Sequence, residues 1–345
     1  MSSKDKISYI RKEVERSGFP LEFEVASVLK EHGWEVLPSS PYWDLDEGQW
    51  RETDMKAYKS LPVPPAGDSA NPYTVTLALI VECKRTEEHA WVFFQWSREP
   101  GEMKMIRVKY HDFLTLTKRQ ALLKGEVVRG EVPPPFEFQA MDLDPALIEE
   151  EALVMPDVAK GLTFFSELEI VTPDTFSFLR SKMKTLSFKE MKLKKDQKRK
   201  ASERREIFEA IISLIKTLKH DMKLYSTGIY AAALLAKKAH EKGEFKVMVW
   251  LPVVVFEGEL YSWEGGNITP AEEILVEGRC HTKRYFENVL VSVVRKSRFE
   301  GFLSELEEDL ERLVNRMVEK RDKLDEQVKV IRESPSFSYS RRGYW

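Results

Sequence analysis

Apolar residues alternate along the chain between helical spacing and strand-like runs, and that order outlines an α/β protein. Ile7, Ile10 and Val14 predict a short amphipathic helix that ends at Gly18. Pro20 then suits the first turn of a second helix, where a missing N–H costs nothing. Leu21, Val25, Val28, Leu29 and His32 supply its core face, with Gly33 as the C-terminal cap. Residues 34–37 read as a short strand, 38–48 as a loop, and 49–58 as a second strand. A proline-rich connection over 61–72 leads to a strongly apolar strand at 73–83.

From 97 to 202 the pattern loosens, with Pro133-Pro134-Pro135 and an acidic stretch at 142–151. This segment is expected to be an insertion between two parts of one core, 1–96 and 203–332. Regular structure resumes with Ile207, Phe208, Ile211, Leu214, Ile215 and Leu218 on one helical stripe. A further helix is expected from Ser226 or Thr227 to Gly243. Strands follow at 245–256, 260–263 and 288–294, the first apolar enough to be central in a sheet. Gly265-Gly266 is expected to be a turn. Leu303, Leu306, Leu310, Leu313 and Met317 mark a long closing helix, and 333–345 a mobile tail.

Composition narrows the setting. With 345 residues the chain can bury a core without disulfides. Its two cysteines, Cys83 and Cys280, form no C-x-x-C pair. Residues 1–10 lack an apolar leader, and the longest apolar runs, 76–81 and 247–256, fall short of the ~20 residues that span a bilayer. The expectation is a cytoplasmic protein with no membrane partner. Lys and Arg number 54 against 57 Asp and Glu, a net charge of −3, so any attraction to a polyanion must come from a local patch. Residues 182–206 hold a net +7. Within them Lys192, Lys194, Lys195, Lys198, Arg199 and Lys200 are candidate phosphate contacts. The plainer reading of such a run is a solvated helix or linker.

The candidate chemistry sits at two strand ends. Residues two apart on a strand share a face, so Glu82 projects with Lys84, and Glu52 with Asp54 from the neighbouring strand. Charges ending an apolar strand are costly unless paired or bound to metal. Magnesium takes about six hard oxygen ligands and keeps several as water. Asp54, Glu82 and the Cys83 carbonyl would suffice. A lysine beside the ion suits holding an attacking water or a phosphate oxygen. On the preceding helix Glu22 and Glu24 lie on opposite sides of the apolar stripe, and spacing alone does not choose between them.

Asp54, a spacer of 27 residues and then Glu82-Cys83-Lys84 resemble the PD-(D/E)XK nuclease superfamily. Gly18-Phe19-Pro20-Leu21-Glu22 resembles that superfamily's first helix. The likeness covers residues 17–96; the later helix and apolar strand match only in the order of elements. It implies a mixed central sheet flanked by helices in the restriction-endonuclease-like manner, with an insertion and a helical C-terminus. It also implies Asp54 and Glu82 as metal ligands, Lys84 as the water-positioning or charge-stabilising group, and Glu22 as a further carboxylate. Mg²⁺ is the implied cofactor, with Mn²⁺ as a substitute, and nucleic acid the substrate, DNA before RNA by family frequency. A homodimer is left open. The chain departs from the motif in having Thr53 where a proline often stands. The alternatives are a binding or assembly module with a vestigial site, and an RNase on the same scaffold.

Two other candidates are weaker. The aromatic run 90–96 offers platforms for unpaired bases, with Gln95 toward a phosphate, although such runs are more often core. His281 beside Cys280 is a poor metal or nucleophile pair, because neighbours on a strand face opposite ways.

Overall fold

Val75, Leu77, Leu79 and Val81 point to one face of their strand, Ala78 and Ile80 to the other, and every one of them is buried. A strand apolar on both faces needs a helical layer on each side. A computed structural model of the chain shows that arrangement. It describes residues 3–44, 47–65, 72–97, 107–112, 168, 170, 183–192, 206–226, 245–281 and 286–333. The described helices are α1 (Ser3–Arg16), α2 (Phe19–Glu31), α3 (Glu206–Ser226), α4 (Lys296–Glu319) and α5 (Arg321–Glu333). The described strands are β1 (Glu35–Asp44), β2 (Gln49–Val63), β3 (Tyr73–Ser97), β4 (Arg107–Asp112), β5 (Met183–Lys192), β6 (Phe245–Glu264), β7 (Asn267–Pro270), β8 (Glu273–His281) and β9 (Phe286–Arg295). All nine belong to one mixed sheet.

One layer packs α2, α4 and α5 against the odd-numbered face of β3, joining Leu21, Val25 and Leu29 to Leu303, Leu306, Leu310 and Leu324. The other sets Ile211, Leu214, Ile215 and Leu218 of α3 against Ala78, Ile80, Trp250 and Val254. Each fully buried Leu or Val side chain contributes about 1.5–3 kcal/mol. The chain is therefore a mixed α/β protein with helices on both faces of its sheet. Among the described residues no helix is long and apolar enough to cross a membrane.

The pairing of β3 positions the site. β6 runs parallel along one of its edges, from Tyr73↔Phe245 to Phe94↔Trp263. The other edge is shared. β2 pairs antiparallel with residues 73–81, and β5 with 89–97. Residues 82–88 lie between these partners, so that edge of β3 is open there. Beside the opening β3 bulges: Arg85 pairs with Glu257 and Ala90 with Glu259, so four residues of β3 oppose the single Gly258. A Cβ at Gly258 would stand 2.9 Å from Thr86 O and 2.6 Å from the Phe256 ring, so only glycine accepts the bulge.

Several elements differ from the sequence expectation. The loop expected at 38–48 is strand as far as Asp44, since β1 keeps register with β2 across Pro38 and Pro41. The expected connection at 61–72 begins only after Val63. The two strands expected at 245–256 and 260–263 are one, continued through Gly258. β3 runs 14 residues beyond Cys83, to Ser97. β8 was not expected, because only Ile274, Leu275 and Val276 give it an apolar signal. Gly265-Gly266 does form a two-residue turn, with φ of 56° and 93° between Glu264 and Asn267. From 97–202, β4 and β5 join the central sheet. The helix expected up to Gly243 and the tail after Glu333 lie outside the described residues.

Candidate active site

The β2–β3 ladder ends at Met55↔Val81. One step further, side chains replace backbone pairing. The Cys83 N–H donates to Asp54 Oδ2 at 2.6 Å, and the Thr53 hydroxyl to Glu82 Oε1 at 3.2 Å. On the other side of Glu82, Ser213 Oγ of α3 donates to the same Oε1 at 2.7 Å. Lys84 Nζ pairs with Glu82 Oε2 at 2.9 Å. Asp54 Oδ1 has no hydrogen-bond partner among the described residues.

This crowding of charge away from water is visible in the proton affinities. Burial first, and then the Glu82 charge, push the Asp54 carboxyl up to about 7, against the opposing pull of Lys84 and the Cys83 N–H. Burial also raises Glu22, opposed by Lys84 and reinforced by Glu82. For Lys84 burial disfavours the ammonium, yet the charges of Glu82 and Asp54 outweigh it and leave its pKa above the ordinary lysine value. The Cys83 thiol is driven well upward by burial and the surrounding carboxylates, so it is no nucleophile at neutral pH.

α2 separates its two glutamates. Glu22 lines the cleft with Asp54, Glu82 and Lys84. Glu24 turns away into an ion pair with Lys296, which also meets Glu257 at 3.1 Å. Glu52 lies on the cleft wall, exposed and without a polar partner among the described residues. Three of the five candidate carboxylates, Glu22, Asp54 and Glu82, thus share the floor with the lysine, while Glu24 turns away and Glu52 stays at the rim.

The cleft above this floor measures about 1370 Å³. One wall comes from β1 and β2 (Tyr42, Asp44, Trp50, Arg51), another from α3 (Phe208, Glu209, Ile212, Ser213, Lys216). Asp44, almost wholly buried, accepts from Lys216 at 2.8 Å and from Arg51 at 3.2 Å, which ties the two walls together. α3 begins beside β5, whose Glu190 accepts from the Ile207 N–H at 2.9 Å and caps the helix.

No family model matches this chain, and neither a curated protein nor a solved structure matches it significantly. The chemistry of the cleft therefore has to be argued from its own residues.

Among the described residues no group of three or more His, Cys, Asp or Glu side chains is disposed to hold a metal ion. The donors on the cleft floor are hard oxygens, the unpartnered Asp54 Oδ1 and the Glu82 carboxylate. Hard oxygens are the ligand type of magnesium, which binds through one or two carboxylates and keeps water, and zinc more often takes His and Cys. In this arrangement Glu22 acts on the floor through its charge and does not complete a three-carboxylate set.

The other expected residues divide. In the aromatic run 90–96, Trp91 and Phe93 are fully buried, and Trp91 stacks on Phe256 with centroids 3.9 Å apart. They are core and cannot meet a base. Lys192 closes β5, and Lys194, Lys195, Lys198, Arg199 and Lys200 lie outside the described residues, as does the side chain of Cys280. Sequence reasoning missed Thr53, Ser213, Trp50 and Phe208. Ser213 alone left a trace, as a small polar residue inside an Ile- and Leu-rich helix.

Proposed function

We propose that this cleft is a magnesium-dependent phosphodiesterase site of the PD-(D/E)XK type, acting on nucleic acid. One observation carries the reading: β2 stops pairing with β3 at Met55↔Val81, one position short of Asp54 on β2 and Glu82 on β3, and both carboxylates line a solvent cleft with Lys84. Structural ion clusters have no need of an open sheet edge or a cleft. A carboxylate held up to about 7 beside a second one is also what a site awaiting a cation would have.

In this mechanism Asp54 and Glu82, with the Cys83 carbonyl, would hold the ion, which when bound supplies a Lewis acid toward a phosphoryl oxygen and lowers the pKa of water. Ser213 and Thr53 hold the Glu82 carboxylate in place, and the Cys83 N–H holds Asp54. Lys84, kept protonated, donates to the attacking water or to a non-bridging phosphate oxygen and offsets the charge that develops there. Glu22 orients Lys84 through its charge. The mixed sheet with helices on both faces suits a restriction-endonuclease-like core.

The test is cleavage of linear, circular and single-stranded DNA and of RNA in Mg²⁺, Mn²⁺ and EDTA. Asp54→Ala, Glu82→Ala and Lys84→Ala are each expected to abolish metal-dependent cleavage with the fold intact. Unchanged rates in Glu82→Ala would falsify the assignment. The Lys84–Glu82 ion pair favours a second reading, a nucleic-acid-binding module whose site is vestigial, because the lysine occupies a ligand oxygen. Calorimetry showing no Mg²⁺ binding, with or without nucleic acid, selects that reading.

A further inference from the structure

The cleft carries ten carboxylates and four cations among the described residues that line it. Each cation already has an acidic partner: Arg51 with Asp44 and Glu47, Lys84 with Glu82, Arg85 with Glu87 and Glu257, Lys216 with Asp44. A duplex is gripped through phosphate contacts from Lys and Arg, and this surface is poor in them. Among the described residues this surface supplies little phosphate charge, so its own contribution to nucleic-acid affinity must come from other contacts.

Two aromatic side chains supply it. Trp50, at the β1–β2 end of the cleft, is 36% exposed, and Phe208, on the first turn of α3, is 47% exposed. Both line the cleft. Trp50 is held by its neighbours: its ring meets Trp43 edge-on at 5.4 Å and His220 at 6.1 Å, and His220 Nδ1 accepts the Trp43 N–H at 3.3 Å. These contacts pin the indole while over a third of it stays open to the cleft. Along α3, Phe208 and His220 are separated by about 18 Å at 1.5 Å per residue. Ser213, which holds Glu82, falls between them, about 7.5 Å from Phe208 and about 10.5 Å from His220 along the axis.

We infer that the cleft takes single-stranded nucleic acid, lying along α3 with one base stacked on Phe208, another on Trp50, and the scissile phosphate between them above Glu82 and Lys84. This rests on the phosphodiesterase reading and narrows its substrate. Stacking tolerates any base, because every base presents a π-face. A paired duplex keeps its bases stacked on each other and cannot use either ring.

The experiment measures binding of the full-length protein to short oligothymidylate, oligouridylate and a duplex of equal length by fluorescence anisotropy in Ca²⁺. Mg²⁺ affinity is followed separately by calorimetry. The expected result is preference for the single strands, with Trp50→Ala and Phe208→Ala each weakening that binding about 5- to 150-fold. Trp50→Phe is expected to restore most of it, and Mg²⁺ affinity should not change. Phe23→Ala, which removes a more exposed ring away from the cleft, is the control and should match wild type. The oligothymidylate and oligouridylate arms decide between DNA and RNA. Duplex bound as tightly as single strands, or wild-type affinity in both alanine variants, overturns the strand path. If Mg²⁺ binding persists in that case, the phosphodiesterase reading stands without it. Loss of both would remove the two together.

Discussion

Ser213 Oγ donates to Glu82 Oε1 at 2.7 Å across 131 residues of sequence, so a helix from the second half of the chain fixes the orientation of a carboxylate from the first. A hydrogen bond to a charged group is worth about 1.5–3 kcal/mol. Ser213→Ala is therefore expected to lower turnover about 10- to 150-fold and to weaken Mg²⁺ binding, with Ser213→Thr retaining most of both. Single-turnover kinetics and calorimetry check it. A variant with wild-type metal affinity and rate would show that Thr53 alone orients Glu82.

Asp54 titrates at about 7 in the folded protein against an ordinary value of 3.8. Its proton is bound more tightly in the folded state, so the associated stability is complete below about pH 4 and is lost as pH rises through about 7. Each pKa unit corresponds to about 1.4 kcal/mol. Allowing for partial solvent access, Asp54→Asn is expected to gain on the order of 2 kcal/mol at pH 8 and almost nothing below about pH 4. Urea titrations across that range test the sign. Mg²⁺ should narrow the gap at pH 8 by stabilising the wild type alone.

Lys56 and Asp221 form a buried ion pair at 2.6 Å, with only 8% of each side chain exposed. It links β2 to α3 beneath the cleft. Burial raises the Asp221 pKa, opposed by Lys56. Lys56→Met leaves an unpaired buried carboxylate and should cost about 3–5 kcal/mol, whereas Lys56→Met with Asp221→Leu should recover most of that loss. Chemical denaturation of the two variants is the measurement. Equal stability in both would mean that water reaches the pair.

The basic segment joins β5 to α3, and α3 begins on the cleft wall. Neutralising Lys192, Lys194, Lys195, Lys198, Arg199 and Lys200 should weaken binding for every sequence and flatten the salt dependence. Each lost contact removes about 0.9 from the slope of log K against log[salt] on duplex, about 0.7 on single strands. An unchanged slope would identify the segment as a solvated linker. Strand preference should survive, because it is assigned to Trp50 and Phe208.

Local pattern alone determined a good part of this protein. Period 3.6 located α1, α2, α3 and α4, and the strongly apolar stretch at 73–83 located the central strand, because burial on one face or on two leaves its mark along an element. Period 2 likewise put Glu82 and Lys84 together, and chemistry singled out Asp54. Tertiary structure decided the rest. Where β2 stops depends on what occupies the other edge of β3, and the two strands that share that edge are over a hundred residues apart. Thr53 becomes a partner of Glu82 only through the β2–β3 pairing and Ser213 only when α3 packs against the sheet, and Glu22 is chosen over Glu24 because Lys296 draws Glu24 aside. The aromatic residues show the difference most directly. Trp91 and Phe93 sit in the densest aromatic run of the sequence and are core, whereas Trp50 and Phe208, isolated in sequence, reach the cleft. A ring's accessibility depends on which layer covers its strand or helix, and layers are made by pairing between distant segments, which local periodicity does not encode.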